Sequence, residues 1–446
     1  MSRHVLFSFL GLGDYLPCYY TFEGEKASFS RFTQTAIYEL MSKDNQMEVV
    51  LFLTKDAKKK NWFNSEGRDG NFQEGLASTF QRIAPDAKVK LVEISKEQDE
   101  QGNWMLFDAI LKEVQEDDTV YFDITHSFRS IPLLALIVLT YARLVKNAKI
   151  GKLVYGWFES LGPQIEVKKM PDEKRVAPIV DMTNMVTLLD WTNGVNQFKH
   201  TGDASFIKQL TSAQMGSIMK GKTNQAEKKK AIIFNKLAIQ LEIVGKCMQT
   251  SRSLRIMDEI KKLQSLLSEA KQFESGAIKP LIPLLNEIEE KYKGFTNDVC
   301  SHNYVQMANW CYDNGWIQPA YTLLQENAIT LICEVYNIDA KDENKRLDIS
   351  SAIRIMLKGI EEEDWIVRDK EFTKQIIDKL KPYRKMLSPF NNITDYRNDL
   401  NHAGTKENRH PERFEQNFQN KFKEISSFFQ AIGSEKREKI ARGSED

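Results

Sequence analysis

Near the end of the 446-residue chain, Arg397-Asn398-Asp399-Leu400-Asn401-His402 sets a guanidinium and an imidazole five positions apart, with an amide beside the arginine. These types suit work on a phosphodiester: the fixed cation clamps non-bridging oxygens and the imidazole carries a proton near neutral pH. On a continuous helix five residues turn about 500°, which leaves Arg397 and His402 about 140° apart. One such helix does not close both side chains on one scissile bond, whereas two copies meeting across a two-fold axis do. The stretch has no cluster of carboxylates at metal-ligand spacing, so the expected chemistry is metal-free. RNA fits that requirement, because its 2′-hydroxyl lies beside the phosphate it attacks.

A second constellation is Asp123-Ile124-Thr125-His126-Ser127-Phe128-Arg129-Ser130-Ile131-Pro132. An apolar strand ends, and Thr125, His126, Ser127 and Arg129 cluster before a helix that Pro132 opens. Free N–H groups at a helix start, with hydroxyls, His126 and Arg129, make an anion site. Capping alone explains the hydroxyls and leaves His126 and Arg129 without a role.

The elements that position these residues divide the chain in two. Residues 1–175 alternate apolar strand runs at 4–9, 48–53, 88–94, 119–124 and 152–158 with helical patterns at 31–41, 70–83, 104–114 and 131–145. Residues 164–168 are expected to pair with the fifth strand as a short hairpin. Strands that read as continuous Val, Ile, Leu and Phe are buried on both faces, which predicts a mostly parallel sheet between helices. Ligands bind such sheets at the carboxyl ends of strands. The polar or glycine-rich ends here are Gly11-Leu12-Gly13-Asp14-Tyr15, Thr54, Thr125 to Arg129, and Trp157 to Glu159. Gly11-Leu12-Gly13 lacks the third glycine of a dinucleotide fingerprint, and no phosphate-binding loop ending in Gly-Lys-Ser/Thr occurs, so a dehydrogenase or a P-loop ATPase is not expected.

Residues 170–178 read as a charged, proline-bounded linker, and residues 176–446 are expected to be all-α. Pro389 opens the helix that carries Arg397, and Gly404 is placed to end it with His402 in its last turn. Phe414, Phe418, Phe422, Ile425, Phe428 and Ile432 recur every three to four residues and are expected to be core behind the site.

Composition narrows the classes. The apolar and charged fractions, 41% and 28%, are those of a globular protein, and Lys+Arg and Asp+Glu both total 62. Nucleic-acid contact must therefore come from local patches; the triplets Lys58-Lys59-Lys60 and Lys228-Lys229-Lys230 read as solvated surface. No secretory signal is read at the start, and the longest apolar run, 131–139, is far short of the ~20 residues that span a bilayer. A cytoplasmic protein with no membrane partner is expected. The five cysteines form no C-x-x-C pair and read as reduced thiols. Cys300, His302 and Cys311 match no common zinc spacing.

The two motifs together resemble the CARF–HEPN effectors of type III CRISPR systems. Residues 123–129 are similar to the D-x-T-H-x-x-R signature of the CARF sensor, a Rossmann-like domain. Residues 164–191, with Ala177-Pro178-Ile179-Val180-Asp181-Met182-Thr183 and Leu188-Leu189-Asp190-Trp191, resemble the junction after it. Residues 397–402 are similar to the R-N-x-x-x-H form of the motif in HEPN, an α-helical ribonuclease domain. Residues 304–336, with Trp310, Trp316, Gln318-Pro319-Ala320 and Glu326, look like the helical pair preceding it. The resemblance implies a sensor over residues 1–175 and a helical region over 176–446 with a C-terminal HEPN domain. It implies a homodimer or higher oligomer whose sensors bind a cyclic oligoadenylate, cyclic tetra-adenylate being favoured, and so activate cleavage of single-stranded RNA without a cofactor. Carried over, Thr125, His126, Ser127 and Arg129 line the ring cleft, with Gly11, Gly13, Asp14, Tyr15, Thr54 and Trp157 near it. Arg397, Asn398 and His402 form the composite cleavage site. Two other readings stand beside this one. One is a ligand-sensing regulator that binds nucleic acid without cutting it; the other is a ring nuclease in which Thr125, Ser127 or a nearby hydroxyl positions an adenylate 2′-hydroxyl.

Overall fold

A computed structural model of the chain describes residues 2–43, 45–67, 70–97, 99–126, 131–220, 225–273, 282–296, 301–405 and 407–443. Ser127 and Arg129 lie outside the described residues. The chain divides into two compact units, Met1–Thr187 and Leu188–Asp446.

The first unit carries strands β1 (His4–Leu10), β2 (Tyr19–Phe22), β3 (Glu25–Lys26), β4 (Met47–Leu53), β5 (Ser65–Glu66), β6 (Phe72–Gln73), β7 (Lys88–Glu93), β8 (Thr119–Asp123), β9 (Lys149–Gly156) and β10 (Val176–Asp181). β5 and β6 form a separate ribbon, and the others make one sheet in the order β3-β2-β10-β9-β8-β1-β4-β7. β7, β4, β1, β8 and β9 are mutually parallel, which is the 3-2-1-4-5 order of a doubly wound Rossmann sheet. β10 closes that run antiparallel to β9, and β2 adds parallel to β10. Alternation along β1 explains why both faces are covered. Val5, Phe7 and Phe9 enter one core, with Phe107 and Ile110 of helix Glu100–Glu113 and Ala135 and Val138 of helix Ile131–Val145. Leu6 and Leu10 enter the other, with Ala36 and Ile37 of helix Thr33–Met41 and Phe80 of helix Leu76–Ile83.

The β9 edge departs from the sequence expectation. Residues 164–168 do not pair with β9, because Gln164–Val167 is a short helix entered from Pro163, whose φ of −60° suits a helix start. The edge is taken instead by β10, which buries Ala177 and Ile179. The expected linker at 170–178 therefore runs into the last strand of the sheet, and the expected boundary at 175 cuts before a strand that the first core needs.

The second unit is helical throughout its described residues. Helix Thr183–Thr201 leads into it, followed by helices Ser205–Lys220, Gln225–Gln249, Ser253–Lys271, Ile282–Glu290, Ser301–Asp313, Ile317–Val335, Glu343–Lys358, Lys370–Leu380, Phe390–Asn401 and Glu412–Gly443. One continuous apolar core runs from Trp191 to Ile432, so the long helical stretch and the C-terminal part share their packing. Helix Ile317–Val335 is the most enclosed, with Ala320, Leu323, Leu324, Leu331 and Cys333 fully buried. Phe414, Phe418, Ile425, Phe428 and Ile432 are buried against it, and Phe422 packs at the margin.

Candidate functional site

In the α/β unit a cavity of about 390 Å³ opens at the carboxyl ends of β1, β4, β7 and β8. This is the switch point, where the chain leaves β1 for one side of the sheet and returns by β8 on the other. Gly11, Gly13, Tyr15, Thr54, Thr125 and His126 line it over an apolar floor of Phe9, Phe52, Ile94 and Ile131. Trp157 is 47% exposed and does not line the cavity, nor does Asp14, which pairs with Lys60 at 2.6 Å.

Asp123 organises the β8 end. It is fully buried; its Oδ2 accepts from Ser8 Oγ at 2.6 Å and its Oδ1 from the Thr125 backbone N–H at 2.9 Å and from the Thr125 hydroxyl. Burial raises its pKa, against the pull of the hydrogen bonds from Ser8 and Thr125. The Thr125 hydroxyl also accepts from Gly156 N–H at 2.8 Å, so this side chain stitches β8 to β9. His126 is pushed down from 6.5 to about 4 by burial and is therefore neutral at pH 7. Its Nε2 lies 3.2 Å from Thr33 Oγ1, whose proton goes to Tyr20 Oη at 3.0 Å. With that proton committed, Nε2 carries the imidazole hydrogen and Nδ1 is left as an acceptor.

The glycine-rich loop is held from two sides. The Tyr15 hydroxyl accepts from Gly11 N–H at 3.0 Å, and a Cβ at Gly13 would stand 2.8 Å from the Tyr15 ring, so glycine permits this close approach. Asn61 Nδ2 donates to Gly11 O at 2.8 Å and Gly13 O at 3.1 Å, and Lys60 Nζ to Leu12 O at 2.6 Å. Lys60 and Asn61 lie on a π-helical turn, Lys58–Trp62. Sequence reasoning missed Asn61 and took Lys60 for free surface. A basic triplet followed by Asn-Trp carries no local sign of a π turn.

In the helical unit, Arg397 Nη2 donates to Glu326 Oε1 at 2.9 Å and Nη1 to Asn398 Oδ1 at 3.1 Å. Glu326 projects from helix Ile317–Val335, whose neighbour Phe390–Asn401 carries Arg397. That shorter helix ends at Asn401, two residues before the stop expected after Ala403, so His402 is its C-cap rather than a residue of its last turn. Gly404 N–H returns to Asp399 O at 2.9 Å and Ala403 N–H to Leu400 O at 3.3 Å, a Schellman closure with Ala403 at φ 52° and Gly404 at φ 71°. His402 is exposed, and its ring meets no partner among the described residues. Behind the site, Asp399 is buried against Arg409 at 3.2 Å, and Arg409 lies 4.4 Å from the Tyr396 ring centroid. Among the described residues no group of three His, Cys, Asp or Glu is placed to hold a metal. Cys300 lies outside the described residues. Among those described, no helix is long and apolar enough to cross a membrane.

Fold and sites together define a class: a Rossmann-type α/β unit with a strand-end cleft, followed by a helical unit that carries an Arg-Asn…His set. Residues 187–297 match the family described as CRISPR-associated protein MJ1674, second domain. The chain is also similar to CRISPR-associated protein MJ1674 of Methanocaldococcus jannaschii, 26% identical over 297 residues. That alignment takes in 65% of this chain and 42% of the relative, so the chain spans less than half of its length. A structure of Enterococcus italicus Csm6 bound to cyclic hexa-2′-fluoro-hexa-dAMP aligns over 98% of this chain and 95% of that one, at 13% identity and a TM-score of 0.46. The CRISPR-associated group recognised from the motifs and the MJ1674 matches agree.

Proposed function

We propose that the chain is an endoribonuclease switched on by a cyclic oligoadenylate. The observation that carries the reading is the Arg397 geometry: a partly exposed guanidinium is oriented by Glu326 and Asn398, on the helix that ends at the open imidazole of His402. His402 takes the 2′-hydroxyl proton or protonates the leaving 5′-oxygen. Arg397 stabilises the charge that builds on the phosphorane-like transition state, and Asn398 orients its fork. Upstream fragments then end in a 2′,3′-cyclic phosphate.

The switch-point cleft is the activator site. Its apolar floor suits a purine face, and neutral His126 offers a hydrogen bond rather than a charge. A cavity of about 390 Å³ holds part of a cyclic tetra-adenylate, which supports a ring shared between two protomers. An exposed stripe on helix Ile131–Val145, Leu133, Ile137, Tyr141 and Leu144, begins beside cavity-lining Ile131 and supports a second copy as its cover. The ring-nuclease reading draws no support from Thr125, whose hydroxyl is committed to Asp123 and Gly156.

The deciding experiment incubates the purified chain with labelled single-stranded RNA, with and without each cyclic oligoadenylate. Cleavage stimulated by one ring size is expected. Binding of RNA without cleavage under all conditions would favour the regulator instead.

A further inference from the structure

One carboxylate in the helical unit serves two arginines. Glu326 Oε1 accepts from Arg397 at 2.9 Å, and its Oε2 accepts from Arg346 Nη2 at 2.6 Å. Arg346, on helix Glu343–Lys358, is tied down on every side. Its Nη2 also donates to Glu326 O at 3.2 Å, and its Nη1 to Thr330 Oγ1 at 3.0 Å and Ala340 O at 3.2 Å. It has little freedom to reach a substrate itself.

Charge counting gives it a different task. A carboxylate bonded to Arg397 alone would hold the fork in place but cancel its charge, and a neutral pair attracts a phosphate weakly. A second guanidinium on the other oxygen brings the cluster to a net charge of +1. Arg397, with its side chain 25% exposed against 19% for Arg346, is the more accessible of the two cations.

We infer that Arg346 is a positioning residue for the cleavage site: it engages one oxygen of Glu326 so that the other orients Arg397 without extinguishing its pull on RNA phosphate. The inference rests on the ribonuclease reading above. Removing Arg346 should therefore turn Glu326 from a guide into an inhibitor of the site, and removing the Glu326 charge should undo that effect. A purely structural brace predicts no such rescue.

The test uses the full chain with three variants: Arg346→Met, Glu326→Gln, and the pair together. Thermal unfolding is recorded for each. RNA affinity is measured in a His402→Ala background, where cleavage is slowed, and kcat and KM are measured with His402 present. Arg346→Met should weaken RNA affinity on the order of tenfold, with KM moving more than kcat. Its salt dependence should flatten by about 0.7 in log–log slope, one phosphate contact on a single strand. The double variant should recover most of the affinity, since the glutamine oxygen still accepts from Arg397. Arg346→Gln can still bond Thr330 and Ala340 but is neutral; it replaces Arg346→Met if that variant melts early and is judged the same way. Wild-type affinity in the single variant, or a double variant no better than the single one at equal melting temperature, overturns the inference. A wild-type chain that neither binds nor cuts RNA overturns the ribonuclease reading itself, a separate failure.

Discussion

Tyr15 lays its ring against that of His126, with centroids 4.1 Å apart and planes tilted by 39°. The contact joins the two loops that flank the switch point, one after β1 and one after β8. It also helps to shut water away from the imidazole, whose pKa falls from 6.5 to about 4 through burial. Tyr15 is pushed the other way by the same cause, up to about 12, and stays a neutral phenol.

The first prediction is a pH dependence. The unfolded chain accepts a proton on His126 near 6.5 and the folded state resists it down to about 4, so the unfolded state binds more protons in that window. Stability tied to His126 is then fully present above about 6.5 and is lost as pH falls toward 4. Thermal unfolding from pH 4 to 7 should show a shallower acid-side loss in His126→Gln than in wild type. Parallel curves would contradict the buried neutral imidazole. Ring affinity should be flat between pH 6 and 8, because no charge on His126 changes there.

Asn61→Ala should loosen the glycine loop. Asn61 is buried and its amide bonds to Gly11 O and Gly13 O are partly so, and their loss should cost about 1 kcal/mol of stability in the α/β unit. Activator affinity should fall with it while the maximal RNase rate at saturating ring stays near wild type. A titration with cyclic tetra-adenylate, read beside thermal unfolding, checks both parts.

His402→Ala should lower RNA cleavage by about 10²-fold or more without lowering ring affinity, as loss of a proton carrier does. Arg397→Ala should do the same through lost charge stabilisation. Single-turnover cleavage and ring titration on the same preparations separate chemistry from sensing. In mixtures of His402→Ala with wild type, activity should fall in proportion to the active pairs that remain.

Cleavage should continue in excess EDTA and leave a 2′,3′-cyclic phosphate. Arg397, Asn398 and His402 supply a cation, an amide and a proton carrier, and the neighbouring 2′-hydroxyl is already at high effective molarity. A 2′-deoxy group at the cleavage position should block the reaction. EDTA-sensitive cleavage, or a 3′-hydroxyl product, would move the chemistry to another site.

Ala403→Gly should stabilise the helical unit by about 1 kcal/mol, because Ala403 sits at φ 52°, where a Cβ is strained and glycine is not. Chemical unfolding of the two proteins measures it. Tighter closure after His402 should leave cleavage intact.

The sequence alone carried the strands β1, β4, β7 and β8 and most of the helical unit, because their apolar periodicity is local: Val5, Phe7 and Phe9 alternate with Leu6 and Leu10 whatever surrounds them. It also marked Thr125, His126, Arg397 and His402 as chemistry-bearing types at strand and helix ends. What it did not determine depends on partners distant along the chain. Whether β9 pairs with residues 164–168 or with β10 turns on which segment buries more apolar surface on that edge, a comparison that only the folded sheet makes. Thr125 changed from an open ligand group to a stitch between strands because Asp123 and Gly156 N–H lie within reach of its hydroxyl. Asn61 and Lys60 acquired their loop through a π turn with no sequence signature. Arg346 is 51 positions from Arg397, and only the packing of helices Ile317–Val335 and Glu343–Lys358 brings it to the Glu326 carboxylate that they share.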